Sequence, residues 1–220
     1  MNQENKVYLS YKTQKELDRK AAKFIVERAE LSIKNSGNFK LVLSGGTTPK
    51  NIYRLLANEE ISFENWFIYF GDERCFPLNH PDRNSYAAQS IWFSKVDIPK
   101  SSIYMIPAEI GNEDAANEYE KILNNIDIFD LVILGMGDDG HIASLFPGHQ
   151  WTNSKQVVPI INSPKAPSNR VSLTPSRLSN TKEVLFLIAG KKKLQAFNQF
   201  KSDGNLPANL ITAKEKITIM

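Results

Sequence analysis

The sequence predicts an α/β fold, a mainly parallel twisted sheet with helices on both faces, and three observations carry it. Unbroken apolar runs such as Leu131-Val132-Ile133-Leu134 and Leu41-Val42-Leu43 are too short for helices and read as strands buried on both faces, the usual state in a parallel sheet. Segments with helical spacing of apolar residues stand between such runs, so strands and helices alternate from end to end. Several runs also end in glycines followed by charged or hydroxyl residues, and open α/β sheets hold their ligands beyond the carboxyl ends of the strands.

Taken in order, Val7-Tyr8-Leu9 reads as a first strand. Thr13 and Glu16 have the spacing of a capping box, and Leu17, Ala21, Phe24, Ile25 and Leu31 give the helix that follows an apolar stripe until Gly37 stops it. Residues 39–44 form the second strand, running into Gly45-Gly46-Thr47-Thr48-Pro49. Thr47 or Thr48 is expected to cap the next helix, with Pro49 in its first turn. Residues 66–70 are a third strand, feeding Asp72-Glu73-Arg74. Asn84 is expected to cap a helix with Tyr86, Ile91 and Trp92; residues 103–106 form a fourth strand stopped by Pro107; residues 113–124 form a helix.

The fifth strand holds the 131–134 run and opens onto Gly135-Met-Gly-Asp-Asp-Gly-His141, around which the chain is organised. Beyond Pro147-Gly148 the pattern loosens. Residues 157–161 and 170–174 read as short strands, 163–169 with two prolines as a mobile loop, and 151–175 together as a small β-rich insertion or lid. Residues 184–189 are a buried strand ending in Gly190-Lys191-Lys192-Lys193, and 216–220 a last strand. The whole is Rossmann-like in its alternation, and residues 1–220 are read as one domain.

Bulk properties fit. The 220 residues suffice for one large domain, and 41% hydrophobic with 23% charged residues is ordinary for a globular chain. A net charge of +3 is too small to argue for nucleic acid, and no nucleic-acid partner is expected. No apolar run approaches a membrane helix or signal-peptide core, and the lone Cys75 suits a reducing compartment, so a cytoplasmic location is expected. A monomer or small homo-oligomer is expected, and no cofactor or metal is, since histidines and cysteines do not cluster with ligand spacing.

Four strand ends carry polar clusters: 44–48, 72–74, 138–141 and 190–193. In a parallel sheet they open on one edge. Residues Ser44, Gly45, Gly46, Thr47 and Thr48 bring free amides, hydroxyls and a helix N-terminus together, which suits a phosphate. The missing Gly-Lys-Ser/Thr excludes a nucleoside-triphosphate loop. Arg74 and a lysine at 191–193 suit an anion. His141 is the one neutral-pH base of the set, with an aspartate near enough to orient it. His80 and His149 read as packed or capping residues. No serine or cysteine sits in a nucleophile elbow. The groups point to a small phosphorylated sugar and to a histidine-activated water attacking an ester-like carbonyl.

Gly135-Met-Gly-Asp-Asp-Gly-His-Ile-Ala-Ser-Leu-Phe-Pro-Gly148 resembles the signature of the 6-phosphogluconolactonases, relatives of glucosamine-6-phosphate deaminase. Ser44-Gly-Gly-Thr-Thr-Pro49 is similar to that family's phosphate loop, Asp72-Glu-Arg74 to its acidic-arginine motif, Asn84 to the Asn-Ser stretch after it, Arg170-Val-Ser-Leu-Thr174 to a downstream strand motif, and Gly190 with Lys193 to its Gly-x-x-Lys. The resemblance implies hydrolysis of 6-phospho-D-glucono-1,5-lactone to 6-phosphogluconate in the oxidative pentose phosphate pathway. It implies His141 as general base, Asp139 as its partner, and Arg74 and Lys193 as phosphate and charge-stabilising ligands, with Asp72, Asn84 and Arg170 also lining the substrate site. Ile142 departs from the family's usual threonine. The deaminases resemble Ala-Phe-Asn-Glu-Pro-Gly where this chain has Ala143-Ser-Leu-Phe-Pro-Gly148, so a glutamate expected for ring opening is missing. A non-catalytic sugar-phosphate sensor is the rival from another class, and such proteins usually carry a DNA-binding segment ahead of the sensor.

Overall fold

The computed structural model describes residues 5–152, 154–202 and 204–220. In chain order the strands and α-helices are β1 (Lys6–Tyr8), α1 (Gln14–Ser36), β2 (Phe39–Leu43), α2 (Thr47–Leu56), β3 (Trp66–Phe70), β4 (Asp72–Arg74), α3 (Asn84–Ile91), α4 (Asn112–Leu123), β5 (Phe129–Gly135), β6 (Val157–Ile160), β7 (Arg170–Leu173), α5 (Pro175–Ser179), β8 (Thr181–Leu187), α6 (Leu194–Lys201) and β9 (Lys216–Ile219). Short 3-10 turns fill several connections, such as Lys191–Lys193 and Pro207–Leu210.

Among the described residues six strands form a wholly parallel sheet in the order β1-β9-β8-β5-β2-β3. Residues 129–134 of β5 are all buried, so both faces of the sheet are covered, as the unbroken apolar run requires. From β2 the chain moves outward to β3, and from β5 it moves outward the other way to β8 and β9. The strand order therefore reverses between β2 and β5, and such a switch point leaves a crevice at the carboxyl ends of the strands.

A second, antiparallel sheet runs β4-β7-β6. Its β6 and β7 come from the expected β-rich insertion, but β4 is the segment Asp72–Arg74, about a hundred residues earlier. Gly71 joins the two sheets: its N–H donates to Leu43 of the main sheet at 2.9 Å, and its carbonyl accepts from Leu173 of the small one at 2.8 Å. Glu120 of α4 anchors the insertion by accepting from the amides of Gln156 and Val157.

Three local expectations are corrected. Residues 103–106 form no ladder; Ile103 makes one isolated parallel bridge to Ile68, residues 103–105 are half-buried, with Tyr104 stacked on Tyr69 at 4.8 Å, and only Ile106 is fully buried. Neither Thr47 nor Thr48 caps α2: the cap is Gly46, at φ +107, with no side-chain bond. Asn84 does not cap α3 either. It is the first helical residue, and the carboxylate of Glu73 reaches across from β4 to take the amides of Asn84 and Ser85 at 2.7 and 2.8 Å. The Thr13 box holds in part, Thr13 accepting from the amide of Glu16 while Glu16 reaches the amide of Lys12.

Candidate active site

A cleft of about 360 Å³ opens at the carboxyl ends of β2, β5 and β8. Its floor is the switch point, where Oγ of Ser44 accepts from the amide of Gly135 at 3.3 Å and ties the loop after β2 to the end of β5. The hydroxyl of Tyr53 holds that loop from behind, accepting from the amide of Ser44 and donating to its carbonyl at 2.8 Å. Because Gly46 offers no side-chain cap, the first amides of α2 stay open to a ligand, and the positive end of the helix dipole faces the cleft.

Gly45 is required by contact. A β-carbon there would stand 2.1 Å from Oδ1 of Asn84, whose carboxamide donates to the carbonyl and to Oδ1 of Asp72 at 3.0 Å each. The other carboxylate oxygen of Asp72 takes a 2.6 Å hydrogen bond from Ser144. Asp72 is thus a fixed, buried side chain in the wall. Arg74 also lines the cleft, with its guanidinium bonded to the carbonyl of Asp82.

On the opposite side the loop after β5 folds back on itself, the amide of Gly137 donating to the carbonyl of His141 at 2.7 Å. Nδ1 of His141 lies 2.5 Å from Oδ1 of Asp139. A β-carbon on Gly137 would fall 1.9 Å from that Nδ1, so only glycine lets the pair form here. Because Nδ1 faces a carboxylate, the proton belongs on Nδ1, leaving Nε2 as the basic nitrogen. Burial, including the Phe146 ring at 4.6 Å, pushes the His141 pKa below its ordinary value, against the upward pull of Asp139. Burial would raise Asp139, but the hydrogen bond and charge of His141 prevail and leave it below the usual carboxylate range. The Cys75 thiol is pushed up to about 11 by burial, which leaves it inert as a nucleophile.

Lys193 enters from beyond β8 and pairs with Asp138 at 2.5 Å. That hydrogen bond holds Asp138 below its ordinary range. Of the three lysines in the run, Lys193 lines the cleft while Lys191 and Lys192 are exposed.

The family model described as glucosamine-6-phosphate isomerases/6-phosphogluconolactonase matches residues 12–220. The chain belongs to that family. It is similar to 6-phosphogluconolactonase 3, chloroplastic, of Arabidopsis thaliana, with 36% identity over 89% of this chain and 67% of the relative. It is also similar to the 6-phosphogluconolactonase of Synechocystis, with 34% identity over 80% of this chain and 76% of the relative. Its fold matches the crystal structure of 6-phosphogluconolactonase from Thermotoga maritima with a TM-score of 0.89 and 30% identity, covering 98% and 97% of the two chains. A monomeric glucosamine-6-phosphate deaminase at 21% identity and TM-score 0.81 shares the fold alone.

Of the residues expected from the motifs, Ser44, Gly45, Gly46, Thr47, Thr48, Asp72, Arg74, Asn84, His141, Arg170 and Lys193 all line this one cleft, and Asp139 stands behind His141. The placement leaves their parts in binding and turnover as proposals. Arg170 differs from expectation in its bonding. It is 4% exposed, and its guanidinium donates to the carbonyls of Lys165, Ala166 and Pro167 and to Ser144, so those N–H groups are committed within the protein. It grips residues 163–169, the expected mobile loop, which is closed further by the amide of Ser163 donating to the carbonyl of Ser168. Glu73 is fully buried among its partners in α3 and Arg83 and does not face the cleft. Ser144 lies inside the Gly135–Gly148 signature but is given no part there beyond being set aside as a nucleophile, and it meets Asp72 through the tertiary fold; Lys165 belongs to no motif and comes from a proline-rich loop of the small sheet. Among the described residues no helix is long and apolar enough to cross a membrane.

Proposed function

We propose that this chain hydrolyses 6-phospho-D-glucono-1,5-lactone to 6-phosphogluconate, the lactonase step of the oxidative pentose phosphate pathway. It is an enzyme, a lactone hydrolase of the 6-phosphogluconolactonase kind. The observation that carries the mechanism is the His141–Asp139 pair standing in the same cleft as the glycine loop at 44–48.

The phosphate seats on the amides at the start of α2, with the hydroxyls of Thr47 and Thr48, and Arg74 and Lys193 supply positive charge. Lys193 exchanges its contact with Asp138 for the incoming anion. Nε2 of His141 then takes a proton from water as the water oxygen bonds to the lactone carbonyl carbon. Asp139 keeps the ring in that tautomer and stabilises the imidazolium. The carbonyl oxygen becomes the oxyanion, and the nearby cations oppose its charge. As the bond to the ring oxygen breaks, the imidazolium returns the proton to that oxygen, and the open-chain acid is released.

Residues 1–220 act as one domain in this proposal, since the contributing loops are spread from Ser44 to Lys193. A cytoplasmic location, a monomer or small homo-oligomer, and no nucleic-acid partner belong to the same proposal. Phe146 speaks against amino-sugar deamination. It stands buried against His141, where the deaminase-like pattern has a glutamate. The deciding experiment offers the purified chain both substrates. Lactone loss well above the spontaneous rate, with 6-phosphogluconate as product, is expected; ammonia released from glucosamine 6-phosphate would reject it.

A further inference from the structure

Lys165 stands on the β6–β7 connection, outside every motif, yet its Nζ lies 3.7 Å from Oδ2 of Asp139. Oδ1 of the same carboxylate faces His141. Two cationic or proton-bearing groups therefore share one aspartate, each on its own oxygen. The lysine is not there by chance of a loose loop. Arg170 donates to its carbonyl at 3.0 Å and to those of the next two residues, Ser163 donates to the same carbonyl at 2.8 Å, and Oγ of Ser163 accepts from the Lys165 amide.

We propose that Lys165 is a positioning residue for the proposed lactonase reaction: by holding Oδ2 of Asp139 it fixes the carboxylate against Nδ1 of His141 and keeps the imidazole a neutral base. The inference rests on the reading of His141 as the base. It assigns to the small antiparallel sheet a share in the reaction, because Arg170 begins β7 and carries the loop that presents the lysine.

The charges around His141 come from several elements: Asp139 on its own loop, Asp72, Arg74 and Arg170 from the small sheet, Lys193 from beyond β8, and Lys165. The positive charge of Lys165 disfavours the imidazolium, and the same charge favours ionised Asp139. Removing it leaves Asp139 to His141 alone, so the imidazole holds its proton to higher pH.

The test compares Lys165→Met and Lys165→Arg with the wild type. The ring signals of His141, assigned by their loss in His141→Gln, are followed by NMR titration without substrate. The expected result is a His141 midpoint moved to higher pH in Lys165→Met and restored in Lys165→Arg, with the acidic limb of kcat/KM moving the same way. At neutral pH kcat falls about two- to fivefold, the size a pair this exposed can carry, with KM nearly unchanged. An unmoved His141 midpoint overturns the proposal, and so does a raised KM at unchanged kcat, which would make Lys165 a substrate ligand. The titration needs no substrate, so inactivity of the wild type toward the lactone would reject the proposed function without touching this result.

Discussion

The carboxamide of Asn84 fills the space that a side chain on Gly45 would need: a β-carbon there would lie 2.1 Å from Oδ1. Asn84 cannot swing away freely because it is bonded twice to Asp72. Gly45→Ala is expected to cost about 1–3 kcal/mol, the usual range for overpacking a closed site, and to weaken product binding by disturbing the loop before α2. Thermal unfolding and calorimetric titration with 6-phosphogluconate check both. Asn84→Ala in the same chain should recover much of the stability, because the obstacle is gone, but not the affinity.

His141→Ala should lower kcat by roughly 10²- to 10⁴-fold while affinity for 6-phosphogluconate changes little, since a general base acts on the water and not on the phosphate. Steady-state rates and product titration measure the two separately. A variant with near wild-type turnover would assign the proton transfer to another group.

The pH dependence follows from the direction of the His141 shift. Its midpoint in the folded chain is below the ordinary 6.5, so activity rises with pH through a limb on the acid side of that value. Asp139 pulls the midpoint up; Asp139→Asn should therefore move the limb to still lower pH while kcat falls, because the neutral amide no longer holds the reacting tautomer. For folding the sign is fixed too. The unfolded chain binds the proton more readily, so the contribution of His141 is fully present above about 6.5 and declines as pH falls through that value toward the folded midpoint. Denaturant melts at pH 5 and pH 7.5, compared with His141→Gln, isolate the term.

Arg74→Ala removes from the cleft wall the guanidinium proposed to bind the phosphate. Product affinity is expected to fall roughly 10- to 100-fold, the worth of charge-assisted hydrogen bonds to phosphate. Affinity for non-phosphorylated gluconate should be unmoved, and titration of both compounds tells phosphate recognition from general damage.

Glu73→Ala should be a stability variant. It strips the acceptor from the first two amides of α3 and leaves buried Arg83 with less compensation, although Glu109 and two carbonyls still hold that guanidinium. A loss of about 3 kcal/mol is expected by denaturant unfolding, with the KM of the folded fraction close to normal.

Much of this architecture is written in short-range pattern. The runs at 41–43, 131–134 and 184–187 are strands because no other state buries so many adjacent apolar side chains in so few residues, and the glycines after them mark the rim. Residues 103–106 carry the same local pattern but run half-buried along the sheet edge, where they make one isolated bridge to Ile68 and a ring stack on Tyr69 in place of a ladder. The small sheet was legible in part: β6 and β7 read as short strands, whereas Asp72–Arg74 becomes a strand only by meeting Arg170–Leu173. The same distance problem hid the use of Glu73 as a helix cap and of Lys165 beside Asp139, since each depends on a partner more than ten residues away that no local spacing announces. Arg170 clamps carbonyls only three to five residues behind it, but an arginine opening a strand does not announce that its guanidinium turns back on the preceding loop.

Gly71 has one further consequence. With its amide given to one sheet and its carbonyl to the other, the two jaws of the cleft are riveted at a single backbone unit. Asp72 and Arg74 are thereby carried on the same frame as the loop at 44–48, and the contact that the proposed entry of an anion has to break is the Lys193–Asp138 pair at the mouth.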